Sequence, residues 1–202
     1  MYLRRLILEV FAHARWEHWV WMGILALAVT GWVLIRRRCS AYGAICLGVT
    51  VFMGLFLLDT AVLIRIGDGV AHKTGFDPGY ELHYFLFGGM VRWTEMFANI
   101  AVFVPFGFFL SEFLSMTKRF GASSAFSARR QFGRVALAAF GLSLCIESLQ
   151  LLLRLGVFEI TDLVLNTVGG FIGAGLSILV RRVLSMPKPN RHSASSDDVL
   201  QR

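Results

Sequence analysis

ESLQLLLRLGVFEITDLVLNTVGGFIG, residues 147–173, is an apolar run that carries polar side chains at regular intervals. These side chains belong to Glu147, Gln150, Arg154, Glu159, Asp162 and Asn166. A charged group at the centre of a bilayer costs roughly 2.5–3.5 kcal/mol on insertion scales, so a membrane segment that retains several of them is expected to use them. The Arg154-Leu155-Gly156 turn divides the run into two helical halves, which are predicted to be antiparallel neighbours.

The polar residues of each half lie on one side of their helix. Within each half, successive residues of one set are four, three and four positions apart, which is the spacing of one side of a helix. The sets are Ser143, Glu147, Gln150 and Arg154 in the first half and Asp162, Asn166, Gly169 and Gly173 in the second. Two stripes that face each other are therefore predicted. The glycines are first of all packing positions that let a neighbouring helix approach closely, and hydrogen bonding between helices is the alternative role for the polar residues.

The composition of the whole chain is that of a membrane protein. Of 202 residues, 56% are hydrophobic and 16% are charged, where a soluble domain would carry about a quarter charged residues. We predict an all-α fold, a polytopic transmembrane bundle of about five spanning helices in a single domain over residues 16–182. The predicted spans are 16–35, 41–64, 94–115, 135–153 and 160–180. Residues 1–15 are predicted to form an amphipathic interfacial helix, and 183–202 a disordered cytoplasmic tail.

The net charge of +7 does not indicate a nucleic-acid partner, because the basic residues lie at the ends of apolar segments. The 36–40 and 116–134 connections and the tail carry most of the Lys and Arg. The positive-inside rule therefore predicts an amino terminus outside and a carboxyl terminus in the cytoplasm. Three cysteines without CxxC or Cys/His spacing indicate neither a disulfide framework nor a metal site, and no cofactor is predicted.

This topology places several polar side chains at one depth, in the outer third of the membrane. They are Asp59, Asn99, Glu147, Gln150, Asp162 and Asn166. For Asp59, a contact with lipid head groups or with Arg65 is as plausible as a functional role. Residues 65–93 are the longest connection between spans, and 80–91 are predicted to be interfacial or re-entrant.

Two blocks of the sequence resemble the VanZ-like membrane proteins. The first is NIAVFVPFGF, with Asn99, Pro105 and Gly107, and the second is the pattern E-xx-Q-xxx-R-x-G-x-F-E-I-x-D-xxx-N-xx-GG that begins at Glu147 and contains Gly156, Gly169 and Gly170. The similarity covers about residues 41–180, with Glu159 where the family usually has Asp. It implies a multi-span protein of the bacterial inner membrane, and the founding member of the family confers low-level resistance to the glycopeptide teicoplanin. It carries over no catalytic residues.

Two functions fit these residues. The first is binding, in which the outward-facing polar pocket engages a lipid-linked wall precursor or an amphipathic lipoglycopeptide among the membrane lipids. The second is a small intramembrane enzyme with Glu147 or Asp162 as general base and Asn99, Gln150 or Arg154 stabilising charge. The sequence has no serine or cysteine nucleophile beside a histidine, which favours binding. An ion pathway is less favoured, because only Glu112 is predicted to lie in the inner half.

Overall fold

The computed structural model describes residues 16–36, 40–63, 87, 89–117 and 125–185. These residues form five long helices and no β-strand. The helices are α1 (Trp16–Ile35), α2 (Ala41–Leu58), α3 (Gly89–Met116), α4 (Ala125–Leu152) and α5 (Ile160–Ser185). A π-helical turn, Asp59–Leu63, continues α2.

Every one of the five helices contains a window that is long and apolar enough to cross a membrane. The predicted all-α bundle with five spanning helices is thereby confirmed, and the chain is a multi-pass membrane protein. The interfacial helix predicted for 1–15, the segment 80–91 and the tail beyond Ser185 lie outside the described residues. Helix α5 ends at Ser185, three residues into the predicted tail.

Helix boundaries follow from local chemistry at two places. At the start of α2, the Ser40 hydroxyl accepts a hydrogen bond from the Gly43 N–H at 3.2 Å, which satisfies one of the unpaired donors of the first turn. Helix α4 begins at Ala125, ten residues before the predicted span. The additional turns carry Arg129, Arg130 and Arg134, which interrupt the hydropathy of a span but are good helix formers.

Helix α3 lies at the centre of the bundle, where it packs most extensively against α5 and also against α2 and α4. Helix α1 packs on α2 at the periphery. It exposes large apolar side chains such as Trp21 and Leu27, at 69% and 73%. Such an apolar surface is compatible with contact to lipid tails, which are as apolar as leucine.

The middle of the bundle is apolar. Its buried cluster draws on α2, α3 and α4 and consists of Leu57, Phe103, Phe106, Ala139 and Ile146. The Phe103 and Phe106 rings pack edge to face with centroids 6.0 Å apart. This cluster separates polar residues at one end of the bundle from polar residues at the other.

Candidate functional site

The shortest side-chain contact at the predicted site joins α3 to α5. The Asn99 Nδ2 donates to Asp162 Oδ1 at 2.6 Å, across 63 positions of sequence. Asp162 lies in the first turn of α5, where a carboxylate interacts favourably with the positive end of the helix dipole. The first sequence block, through Asn99, and the second, through Asp162, are therefore in direct contact.

Glu147 of α4 also reaches the amino-terminal end of α5. Its Oε2 accepts a hydrogen bond from the backbone N–H of Glu159 at 2.9 Å, and its side chain is only 4% exposed. Glu159 directly precedes α5, so its N–H belongs to the group of donors that a helix start leaves unpaired. Carboxyl groups of Glu147, Glu159 and Asp162 are consequently collected around one helix end.

The polar stripes of α4 and α5 were predicted to face each other, but they meet only at Asn166, one helical turn deeper, because Gly169 and Gly173 of the α5 stripe face α3. The buried Asn166 Nδ2 donates to the Ser143 Oγ at 2.9 Å. The Asn166 Oδ1 is buried and has no hydrogen-bond partner within the described part of the chain. A buried amide oxygen of this kind is rare in native structures and indicates a place where a water or a ligand donor fits.

Gln150 connects α4 to the end of α2. Its Nε2 donates to the Ala61 carbonyl oxygen at 2.9 Å, inside the π-helical turn. Gln150 is 4% exposed, so its side chain is buried, and the contact itself is partly buried. Asp59, which opens the same turn, is paired with His18 of α1, a residue that carries no signal in the sequence because it stands alone on an apolar helix.

Arg154 differs from the other predicted site residues. Helix α4 ends at Leu152, and the Arg154 backbone has turned to a positive φ of 58°. Its side chain is exposed in the turn that follows α4. The adjacent Gly156 is buried in the connection to α5. The structure therefore brings together Asn99, Glu147, Gln150, Glu159, Asp162 and Asn166 at one end of the bundle, with Arg154 at its surface.

The motif glycines lie where α3 and α5 cross. A methyl group at Gly107 would overlap the backbone of Gly170, and one at Gly173 would overlap the Val104 carbonyl. Gly169 faces the Ile100 carbonyl in the same way. Pro105 lies within α3 between these contacts. Backbones that touch this closely hold Asn99 and Asp162 at hydrogen-bonding distance.

A second polar cluster, at the opposite end of the bundle, was not predicted beyond Glu112. The Glu112 Oε1 accepts from the Ser177 Oγ at 2.6 Å and lies 3.5 Å from the Arg181 Nε. Gln131 Nε2 donates to Ser111, which also pairs with Ser177. The sequence feature that could have indicated this cluster is serine in apolar helices. A serine at such a position can serve close helix packing as well as hydrogen bonding, so the feature alone does not predict a polar cluster.

The geometry limits the chemistry of the site. Within the described residues, no three His, Cys, Asp or Glu side chains are close enough to hold a metal ion. What the site offers is several carboxylates, amide donors and an unpaired amide oxygen at one helix start. That arrangement suits hydrogen-bond donors and positive charge on a bound molecule.

Comparison with known proteins gives two matches. The model of the VanZ/LLP1 family matches residues 44–181. Protein VanZ of Enterococcus faecium is 32% identical over 102 residues, which are 50% of this chain and 54% of that protein. The chain thus spans about half the length of this curated relative. No solved structure matches.

Proposed function

This chain belongs to the VanZ/LLP1 family, and on that premise we propose that it binds an amphipathic component of the bacterial cell envelope at the amino-terminal end of α5. The component is a lipid-linked wall precursor or a lipoglycopeptide. The observation that carries the proposal is the contact between Asn99 and Asp162, with Glu147 on the adjacent Glu159 N–H. An amide of α3 and carboxyl groups of α4 and of the start of α5 thereby meet in an apolar bundle.

The charge of the site favours a ligand with a cationic or donor-rich head. Three carboxyl groups and one arginine leave a surplus of negative charge if all are ionised, and the start of α5 offsets only part of it. The unpaired Asn166 Oδ1 supplies a further acceptor. An amphipathic ligand would place its polar head at these acceptors and its apolar part among the lipid-facing helices.

Binding of this kind is expected to contribute to teicoplanin resistance. Expression of the chain in a teicoplanin-sensitive host should raise the inhibitory concentration of teicoplanin. Asp162→Asn and Glu147→Gln, which remove charge and keep shape, should return it to the value of the empty vector, because each variant loses an acceptor of the proposed ligand. Immunoblots of the membrane fraction check that both variants are inserted.

Glu17→Gln is the matched control, since Glu17 is an exposed carboxylate of α1 outside the family match. It should retain the wild-type inhibitory concentration. Resistance that survives in Asp162→Asn would remove this residue from the binding site. An unchanged inhibitory concentration with the wild-type chain would remove teicoplanin as the relevant compound.

The second candidate is an enzyme acting on a lipid-anchored envelope substrate. Its supporting observation is that the protein holds both candidate bases in place, Asp162 through Asn99 and Glu147 through the Glu159 N–H, as general base catalysis needs. The two functions are distinguished by whether the protein converts a lipid into a product. Modified lipid in the membranes of expressing cells, lost in both charge-removing variants, would favour the enzyme, whereas unmodified precursor that co-purifies with the wild type would favour binding.

We further propose that the protein lies in the inner membrane with the carboxylate site outside. The supporting observation is the distribution of the described arginines. Two of them, Arg92 and Arg154, lie at the end of the bundle that holds the carboxylate site, whereas six lie at the other end of the bundle, at the end of α1, the start of α4 and the end of α5. Basic residues mark the cytoplasmic side of membrane proteins. The carboxyl terminus would then be cytoplasmic.

A further inference from the structure

A groove of about 240 Å³ lies between α1 and α2, on the side of the bundle away from α5. It is lined by His18, Trp21, Met22, Leu55, Leu58 and Asp59. Asp59 belongs to the π-helical turn that Gln150 contacts, so the groove is at the same end of the bundle as Glu147. Its lining is apolar except for one histidine and one aspartate.

Asp59 is the unusual member of this lining. Its side chain is 2% exposed, and its Oδ1 lies 2.8 Å from the His18 Nδ1. Its Oδ2 is buried and has no hydrogen-bond partner in the part of the chain that the structure describes. An ionised carboxylate only accepts hydrogen bonds, so the His18 Nδ1–H is the donor of this contact and Oδ2 remains an acceptor in need of a donor.

The backbone at Asp59 is equally unusual. Helix α2 widens there into a π-helical turn, a feature that is frequent at functional sites. The Thr60 hydroxyl donates to the Phe56 carbonyl at 2.9 Å, and Gln150 donates to the Ala61 carbonyl. Side chains thus satisfy carbonyl groups of an irregular helix, while the carboxylate at its first position keeps an acceptor unpaired.

We propose that the groove binds a membrane lipid whose head group carries a primary ammonium. An ammonium supplies N–H donors for Asp59 Oδ2 and a charge opposite to that of the carboxylate. The acyl chain lies along Trp21, Met22 and Leu55. The terminal torsion of an aspartate is broad, so a small rotation presents Oδ2 to the groove. His18, whose side chain is 33% exposed, is a positioning residue that holds the other oxygen.

This proposal is independent of the envelope ligand proposed above, because it uses α1 and the end of α2 and none of the carboxylates around α5. One chemical difference between head groups decides which class of lipid the groove should bind. An ethanolamine head group has N–H donors, whereas a choline head group has the same charge and no N–H. A site built around an unpaired acceptor should discriminate between them, and a site that responds to charge alone should not.

The test uses the full-length protein in detergent micelles, titrated with phosphatidylethanolamine or phosphatidylcholine that carries the same brominated acyl chains. Bromine quenches tryptophan fluorescence on contact, and Trp21 lines the groove. We expect the ethanolamine lipid to reach half-maximal quenching at a several-fold lower fraction than the choline lipid. Asp59→Asn should abolish that preference, and Glu17→Gln and Asp162→Asn should retain it.

Trp21→Phe identifies the groove as the place of binding. Trp21 is 69% exposed, so the variant is expected to fold, and it should lose most of the preferential quenching. Equal quenching of the wild type by both lipids would overturn the proposal. So would a preference that Trp21→Phe leaves intact, even if Asp59→Asn failed to fold. Because Asp162→Asn is read in the same assay, failure of the envelope-ligand site is distinguishable from failure of this one.

Discussion

At Arg154 the backbone adopts a left-handed conformation, φ 58°, that a residue with a side chain rarely takes. Two hydrogen bonds fix it there. The Leu155 N–H donates to the Gln150 carbonyl at 2.8 Å and the Arg154 N–H to the Leu151 carbonyl at 3.2 Å, which is the Schellman pattern at a helix end. Glycine is the usual residue at this position, so an arginine there is retained against a conformational cost.

Arg154→Gly should therefore stabilise the protein. The left-handed conformation costs a non-glycine residue roughly 1–2 kcal/mol, which the glycine variant avoids. Glycine also loses more conformational entropy on folding, which reduces this gain in stability by roughly 0.5–1 kcal/mol. We expect the free energy of unfolding in detergent to rise by about 0.5–1 kcal/mol. Unfolding in micelles titrated with SDS, followed by circular dichroism, measures it.

Arg154→Ala is the control, because it removes the guanidinium and keeps the Cβ that causes the cost. It should leave stability nearly unchanged. If Arg154 serves the envelope ligand, both variants lose resistance although only Arg154→Gly gains stability. A loss of stability in Arg154→Gly would show instead that the guanidinium makes a stabilising contact.

At the scale of helices, α5 is the element that assembles the site. Its first turn presents Asp162 to Asn99, its second presents Asn166 to Ser143, and its glycines fit against α3. Its last turns contribute Ser177 and Arg181 to the Glu112 cluster. Both polar clusters therefore depend on how closely α3 and α5 approach each other.

Gly173→Ala should separate these two helices. A Cβ at Gly173 would overlap the Val104 carbonyl and lie 2.7 Å from the Phe108 nitrogen, and backbone atoms cannot yield as a flexible side chain does. We expect a loss of roughly 1–3 kcal/mol in the free energy of unfolding, as for other overpacked cores, together with loss of the teicoplanin resistance proposed above. The SDS titration and the inhibitory concentration measure the two effects.

Gly141→Ala is the matched substitution. Nothing lies within 4 Å of a Cβ at Gly141, which is also in the interior of a long helix. Because alanine is the better helix former, this variant should gain up to about 1 kcal/mol. Equal effects of the two substitutions would mean that the α3–α5 contact does not determine stability.

The whole molecule has two polar layers with an apolar layer between them. Asn99 and Glu112 are 13 positions apart on α3, which corresponds to about 20 Å along the axis. The Phe103 and Phe106 rings lie between them in the buried cluster. Such a layer blocks a polar path, so the described residues give an ion pathway no more support than the sequence did.

The orientation of the molecule is open to a direct measurement. In a background with Cys39→Ala and Cys145→Ala, Leu153→Cys should react with a membrane-impermeant maleimide on intact cells, because Leu153 is exposed at the end of the bundle proposed to face outward. Arg36→Cys, at the arginine-rich end, should react only after the cells are permeabilised. The reverse pattern would invert the topology.

The sequence was sufficient for the class of fold. Hydropathy and length identify spanning helices one at a time, so all five spans were predictable without any knowledge of packing. Helical spacing likewise predicted that Glu147 and Gln150 share a side of α4. It was wrong for Arg154, which lies beyond the end of that helix in a left-handed turn. The family resemblance seen at Asn99 and Glu147 is confirmed by the match over residues 44–181.

Only the tertiary structure decided which side chains meet. His18 and Ser177 lie 41 and 65 positions from the residues they contact, Asp59 and Glu112. A lone histidine or serine in an apolar helix has no periodicity of its own, and its role appears only when another helix places a polar partner beside it. Periodicity fixes the face of a helix, whereas the neighbour of that face is fixed by the fit of glycines and carbonyls between α3 and α5.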